Sequence, residues 1–334
     1  MAGPRILIVG AGAVGQTYAY YLARGGATIS FYVKPKHAAA CEAGFDLHEL
    51  RVLGRPRPRR LVGAATLTTI EEVAACTWDQ VWLCLSTTGL RGGKARPEEP
   101  SWLDALLPAI GDALVVSLQP DLDDRAFLTC RLPETRLVSG LITFVAYAAP
   151  LPGERLTPPG VAFMQPPLAP NPFSGPRADE VVTALRRGGA SARRVRDVSG
   201  RVRLGAAILI PTMAVLETLG WSLRAVARGP GRARVRAIVR ESAAIVARGR
   251  PGLITRLLLS LYASALGLTL VARLLPRLTP FDLEVYLRAH FTKVGDQTRV
   301  MLATYCEHAR ALGLPHETLA AALAQLDPGA APPT

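Results

Sequence analysis

Lysine is scarce in this chain: 334 residues hold four, Lys34, Lys36, Lys94 and Lys293, against thirty-five arginines. Cysteine is sparse as well. Its five copies (Cys41, Cys76, Cys84, Cys130, Cys306) are scattered, odd in number and free of C-x-x-C spacing, which excludes a disulfide framework and a zinc site. None of the five histidines falls in a metal-binding pattern such as H-E-x-x-H, so no metal is expected. Aromatic residues, 6 % of the chain, leave little for nucleic-acid bases to stack on. The net charge of +13 is therefore read as an arginine-rich composition, with no nucleic-acid partner expected.

A membrane-spanning run is missing too. The apolar stretch Leu257 to Ala272 carries no charge for sixteen residues, short of the roughly twenty that a spanning helix needs. Ser260, Ser264 and Gly267 interrupt it. It is expected to be a helix buried in the core or at a homodimer interface; a membrane surface, assisted by nearby arginines, is the lesser alternative. The first apolar run begins at Ile6, which leaves no room for a secretory leader ahead of it, so the cytoplasm is the expected location. With 49 % hydrophobic and 19 % charged residues, the composition is globular, and the length suffices for two domains.

What is present is concentrated at the start. The run Ile6-Leu7-Ile8-Val9 leads into Gly10-x-Gly12-x-x-Gly15, then a helical stretch Ala13 to Arg24, a Gly25-Gly26 stop, and a second apolar run, Ala27 to Val33. Strand, glycine turn and helix in that order bind the pyrophosphate of a dinucleotide. Gly10 permits the tight turn, Gly12 lets the backbone approach the phosphates, and Gly15 lets the helix lie close to the sheet. The segment Gly10, Ala11, Gly12, Ala13, Val14, Gly15 and Gln16 is the expected cofactor cradle, with helix N–H groups aimed at the anion. The residue closing the second strand then selects the cofactor. A carboxylate there would bond the ribose hydroxyls of NAD, whereas a cation accommodates a 2′-phosphate. This chain has Lys34, with Lys36 and His37 behind it and no carboxylate before Glu42. NADP(H) is the expected cofactor.

Short β-rich runs at Asp79 to Leu85, Ala113 to Leu118 and Arg136 to Phe144, with helical stretches such as Ser101 to Ile110 between them, predict a doubly wound α/β domain. The Pro- and Gly-rich segment Pro150 to Pro176 suits turns and edge strands. A helix and strand over about Ala178 to Val195 complete a domain of residues 1–197. An all-helical domain of residues 198–326 follows, opening at Leu204 to Leu219 and closing with Leu283 to Leu312; residues 327–334 are expected to be a disordered tail. Arg224, Arg228, Arg232, Arg236 and Arg240 recur every four residues along one slowly drifting helix face, which Gly229-Pro230-Gly231 is expected to break.

These residues resemble the ketopantoate reductase family, the 2-dehydropantoate 2-reductases. The resemblance is strongest over Ile6 to Lys34, where Gln16 and the position of Lys34 fit, fair over Gly140 to Gly160, and returns over Asp296 to Leu319. It implies a Rossmann domain followed by a helical domain, NADPH as hydride donor, a small carbonyl substrate held in the cleft between the domains, and a place in pantothenate biosynthesis. The family's lysine in the strand-four loop corresponds to Ser86, and its N-G turn to Gln119-Pro120. Its K-x-x-x-N-x-x-x-N helix motif corresponds to Arg203, Ala207 and Pro211. Its T-E-I-D motif corresponds to Thr292-Lys293-Val294-Gly295, or to Asp296 and Gln297 one turn on.

The substrate half thus carries different side chains from the family pattern, and a 2-keto acid or related carbonyl compound is the expected substrate class. Arginine binds a carboxylate bidentately but stays charged, so Arg203 suits anchoring or oxyanion stabilisation. His290, Lys293 and Gln297 are spaced to share one helix face, with Asp296 beside them. Lys293 is the expected general acid, tuned by Asp296 or His290. The competing expectation is that Asp296 pairs with Arg299 or Lys293 on a wet surface. A non-catalytic NADP(H)-binding sensor or scaffold is the alternative to an enzyme.

Overall fold

The computed structural model describes residues 3–93, 99–249 and 251–326, so the expected tail at 327–334 lies outside the described residues. The chain forms two compact units, Met1–Arg201 and Val202–Thr334.

The first unit carries strands β1 (Arg5–Val9), β2 (Thr28–Tyr32), β3 (Phe45–Glu49), β4 (Arg57–Leu61), β5 (Ala65–Leu67), β6 (Gln80–Leu83), β7 (Leu114–Ser117), β8 (Leu137–Gly140), β9 (Val145–Ala149), β10 (Gly160–Met164), β11 (Asn171–Ser174) and β12 (Ala192–Arg194). Its helices are α1 (Ala13–Arg24), α2 (Ala38–Glu42), α3 (Ile70–Ala74), α4 (Thr87–Arg91), α5 (Leu103–Ala109), α6 (Asp124–Thr129) and α7 (Ala178–Arg187). Eight strands join in the order β12-β11-β8-β7-β6-β1-β2-β5. From β5 to β8 every neighbouring pair is parallel, which is the doubly wound arrangement with β1 beside the point where the winding reverses.

The apolar runs are continuous because this sheet is covered on both faces. Along β1, Ile6 and Ile8 join a core with Tyr18 and Leu22 of α1 and Val181 and Leu185 of α7. Leu7 and Val9 point the other way, into a core with Leu90, Leu106 and Phe127. Trp82 of β6 falls in the first core and its neighbours Val81 and Leu83 in the second, as the period of two in a strand requires.

Two expectations need correction here. The run Arg136 to Phe144 is not one strand: β8 ends at Gly140, and β9 starts at Val145 in a second, four-stranded sheet of order β4-β3-β10-β9. The proline-rich segment supplies interior strands and not edge strands. β10 lies between β3 and β9, and β11 lies between β8 and β12. Pro172 is tolerated inside the sheet because its carbonyl still accepts from the Leu141 N–H at 3.1 Å, and the donor it lacks falls at the end of the β11–β8 ladder, next to the last registered pair, Phe173 with Gly140.

The second unit is helical: α8 (Ser199–Thr218), α9 (Leu223–Val226), α10 (Gly229–Val246), α11 (Leu253–Tyr262), α12 (Ala265–Leu278), α13 (Leu283–Lys293), α14 (Gly295–Leu312) and α15 (Glu317–Gln325). Gly229-Pro230-Gly231 does not interrupt a helix; it begins α10, with proline in the first turn, where its missing N–H costs nothing. Arg224 therefore belongs to α9 and Arg228 caps α10, so the five arginines do not share one face. The apolar stretch Leu257 to Ala272 is not one buried helix either. It is split between α11 and α12, which meet at a 62° bend, and Leu259 alone is buried in α11 and Leu268 alone in α12.

Candidate dinucleotide site and candidate catalytic residues

The turn after β1 is built as the glycine spacing requires. Gly10 takes a φ of +95°, which a side chain would strain, and its N–H donates to the Tyr32 carbonyl at 3.0 Å, tying the turn to the end of β2. A Cβ on Gly15 would lie 2.2 Å from the Gly10 carbonyl oxygen and 3.3 Å from the Cys84 Cβ, so only glycine lets α1 sit this close to β1 and β6. Gly12 differs from both. It is the exposed N-cap of α1, offers no side-chain cap, and a Cβ there would meet nothing within 4 Å.

The first intrahelical bond of α1 runs from the Gln16 N–H to the Gly12 carbonyl at 2.9 Å. The N–H groups of Ala13, Val14 and Gly15 consequently have no partner within the helix. The Gln16 side chain donates to the Ala11 carbonyl at 2.8 Å and holds the loop in place. No acidic residue occupies the first turn of α1. Open space, free N–H groups and the positive end of a twelve-residue helix together fit a pyrophosphate.

Lys34 follows β2 in extended conformation and caps a single 3-10 turn, Pro35–His37. Lys34, Lys36 and His37 are exposed. Among the described residues no carboxylate pairs with Lys34. The residue is thus an unspent cation just past the strand whose last carbonyl holds Gly10.

Ser86 and Gln119 occupy the loops after β6 and β7, at the same carboxyl edge of the sheet as the glycine turn. The Ser86 hydroxyl caps α4, accepting from the Gly89 N–H at 3.0 Å, and it lies 2.9 Å from the Thr88 hydroxyl. Gln119 is buried and fully engaged. Its amide nitrogen donates to the Leu83 and Leu85 carbonyls at 2.7 and 2.9 Å, and its oxygen accepts from Ser117 and the Leu118 N–H. It clamps the β6 loop to β7.

A second tie between these loops is not announced by any local sequence pattern. Arg91 of α4 pairs with Asp121 and, through Nε at 3.1 Å, with Asp124; Thr87 donates to Asp124 at 2.8 Å. All four side chains are buried. Burial, reinforced by the nearby Asp121 charge, pushes the Asp124 carboxyl up to about 6 against the pull of Arg91. The available signal was Asp121-Leu122-Asp123-Asp124, separated by two residues from the apolar run Ala113 to Leu118. A shallow depression lined by Asp104, Pro108, Asp112 and Arg136 opens at the amino ends of β7 and β8, the opposite edge of the sheet, and is unrelated to these loops.

In the helical unit, His290, Lys293, Asp296 and Gln297 do not share one helix. Val294 adopts φ −108° and ψ 23°, ending α13 and starting α14. His290 and Lys293 remain together on α13, one turn apart, with Lys293 exposed at its C-terminal end. His290 stacks on Tyr286 with ring centroids 5.4 Å apart and meets Phe291 edge-on at 5.0 Å. Its burial, with the Lys293 charge adding, holds the imidazole below its ordinary pKa. Asp296 opens α14 and pairs with Arg299 at 3.4 Å on an open surface; among the described residues its ion pair is with Arg299 and not with Lys293.

Arg203 lies half-buried near the start of α8, without a carboxylate partner among the described residues. A cation there opposes the helix dipole and favours an added anion. Ala207 and Pro211, where the family pattern has asparagines, are buried in the core of this unit.

Comparison with known proteins fits this geometry. The family model described as ketopantoate reductase PanE/ApbA matches residues 6–58, which cover β1, α1, β2 and Lys34. The 2-dehydropantoate 2-reductase from Geobacter metallireducens GS-15 superimposes with a TM-score of 0.68 at 18 % identity, over 98 % of this chain and 100 % of that one. The chain carries the ketopantoate reductase fold. The PanE/ApbA family ketopantoate reductase from Ralstonia eutropha JMP134 gives a TM-score of 0.67 at 21 % identity, over 96 % of this chain and 97 % of that one. A D-mandelate dehydrogenase with NADH and anilino(oxo)acetate gives 0.71 at 13 % identity, over 96 % of each chain. A search of curated protein sequences finds no match. The resemblance read from the glycine turn is borne out by the family match over that segment and by the fold of the whole.

Proposed function

We propose that this protein is a cytoplasmic NADPH-dependent oxidoreductase, a divergent member of the ketopantoate reductase family that reduces a 2-keto acid or a related small carbonyl compound. The observation that carries this reading is the open N-terminus of α1 together with Lys34 just past β2, which has no carboxylate partner among the described residues. One structural neighbour holds NADH, and Lys34, not the fold, is what argues for the 2′-phosphate here.

NADPH, when bound, supplies the hydride. The chain's own residues would do the rest. The N–H groups of Ala13, Val14 and Gly15 hold the pyrophosphate, and Lys34 neutralises the 2′-phosphate. Ser86 and Gln119 shape the carboxyl edge of the sheet. Arg203 anchors the substrate carboxylate through a planar, permanently charged fork. Lys293 gives a proton to the developing alkoxide, with a largely neutral His290 one turn away on the same helix. Asp296, spent on Arg299, has no direct part in the proton transfer. The anilino(oxo)acetate of the mandelate dehydrogenase structure is itself a 2-oxo carboxylate, which supports that substrate class.

The test is steady-state NADPH oxidation against a panel of 2-keto acids, ketopantoate included, with NADPH and NADH affinities measured separately. Tight NADPH binding without turnover on any member would leave a non-catalytic sensor or scaffold. Lys293→Met should abolish turnover while NADPH affinity holds; retained turnover removes Lys293 from the mechanism.

A further inference from the structure

The pair α11 and α12 presents its apolar stripe outward. Leu253, Leu257 and Leu261, with Ile254 and Leu258 beside them, repeat every four residues along α11 and are 56–75 % exposed. Leu266, Leu270, Leu274 and Leu278 continue the repeat along α12 at 45–64 % exposure. Isolated surface leucines are ordinary, but a continuous stripe over two helices marks a surface that something covers.

The charge around the stripe identifies what covers it. Between Glu241 and Asp282 the sequence holds five arginines and no carboxylate. Arg256, Arg273 and Arg277 are exposed and have no acidic partner among the described residues. Arg273 and Arg277 each precede a stripe leucine, so they line its edge. A second copy docking through this face would set the same patch against itself, arginine facing arginine, with no carboxylate to relieve the repulsion. An anionic phospholipid surface offers hydrocarbon for the leucines and negative charge for the rim.

Geometry also settles how deep such a contact goes. At about 1.5 Å per residue α11 and α12 are roughly 15 and 21 Å long, each short of a hydrocarbon core of about 30 Å. They meet at 62° and do not form one straight rod. We propose that α11 and α12 form a monotopic docking surface for anionic phospholipid bilayers, lying in the interface with their leucines inserted and Arg256, Arg273 and Arg277 at headgroup level.

Flotation of the full chain with vesicles tests this. Binding to equimolar phosphatidylglycerol and phosphatidylcholine should exceed binding to phosphatidylcholine alone by at least about tenfold and fall with salt. Leu257→Glu with Leu274→Glu should remove binding, and Arg273→Gln with Arg277→Gln should remove the preference for anionic lipid. Equal binding to both vesicles overturns the proposal. So does failure to float with either, or a dimer in sedimentation equilibrium that Leu257→Glu with Leu274→Glu dissolves in the absence of lipid binding. The wild-type comparison of vesicle compositions decides the matter even if a variant misfolds.

Discussion

Replacing Ser242 with alanine isolates one interaction that lets α8 pass through a proline. Pro211 has no N–H, so the carbonyl four residues earlier, on Ala207, loses its helical donor. Ser242 of α10 supplies one, donating from its hydroxyl to the Ala207 oxygen. Both residues are fully buried, so water cannot take over. Ser242→Ala leaves the Cβ in place and opens no sizeable cavity; what it removes is the hydrogen bond, and what it leaves is an unsatisfied buried carbonyl. The cost should be about 1–3 kcal/mol, seen as a fall of roughly 3–10 °C in the melting transition of a unit of this size. The discriminating measurement is a double-mutant cycle with Pro211→Ala, which restores the N–H. In that background Ser242→Ala should cost at least about 1 kcal/mol less. Urea unfolding followed by circular dichroism on the four proteins measures it. Equal cost in both backgrounds would refute the reasoning, because the hydroxyl would then be serving only its own helix, where Ile238 and Val239 carbonyls lie at 3.0 and 3.2 Å.

The cofactor cradle yields a contrasting pair. Gly12→Asp has room for its side chain, so the melting temperature should hold while NADPH binding falls at least about a hundredfold from a carboxylate in the anion site; Gly15→Ala, whose Cβ would lie 2.2 Å from the Gly10 oxygen, should instead lower stability itself. Lys34→Glu should weaken NADPH about tenfold or more and leave NADH little changed, read by fluorescence titration. Because the Asp124 carboxyl titrates near 6 when folded, against an ordinary value of 3.8, the folded state holds the extra proton between those values. Its contribution to stability is complete below about 4 and is lost as pH rises through about 6. Unfolding free energies of wild type and Asp124→Asn should therefore differ most in slope between pH 4 and 6; parallel profiles would show that the carboxyl is not raised.

The sequence by itself determined the glycine turn, the helix it opens, the succession of buried parallel strands and the cation after β2. Each of these rests on local rules: which residue tolerates a positive φ, which run is apolar on both faces, which group ends a strand. The catalytic segment was less legible. A spacing of three and seven residues puts His290, Lys293 and Gln297 on one face only if the helix is continuous, and the break at Val294 is marked in the sequence by Gly295 alone, a residue that a helix interior also tolerates. Tertiary structure alone decided the second sheet, since β3 and β10 lie far apart in the chain and pair through contacts no local pattern encodes. It alone gathered Arg91, Asp121 and Asp124 into one buried cluster, and it alone turned the leucines of α11 and α12 outward. An apolar stripe has the same spacing whether it faces a core or a solvent-side partner; which way it points depends on what the rest of the chain has already covered.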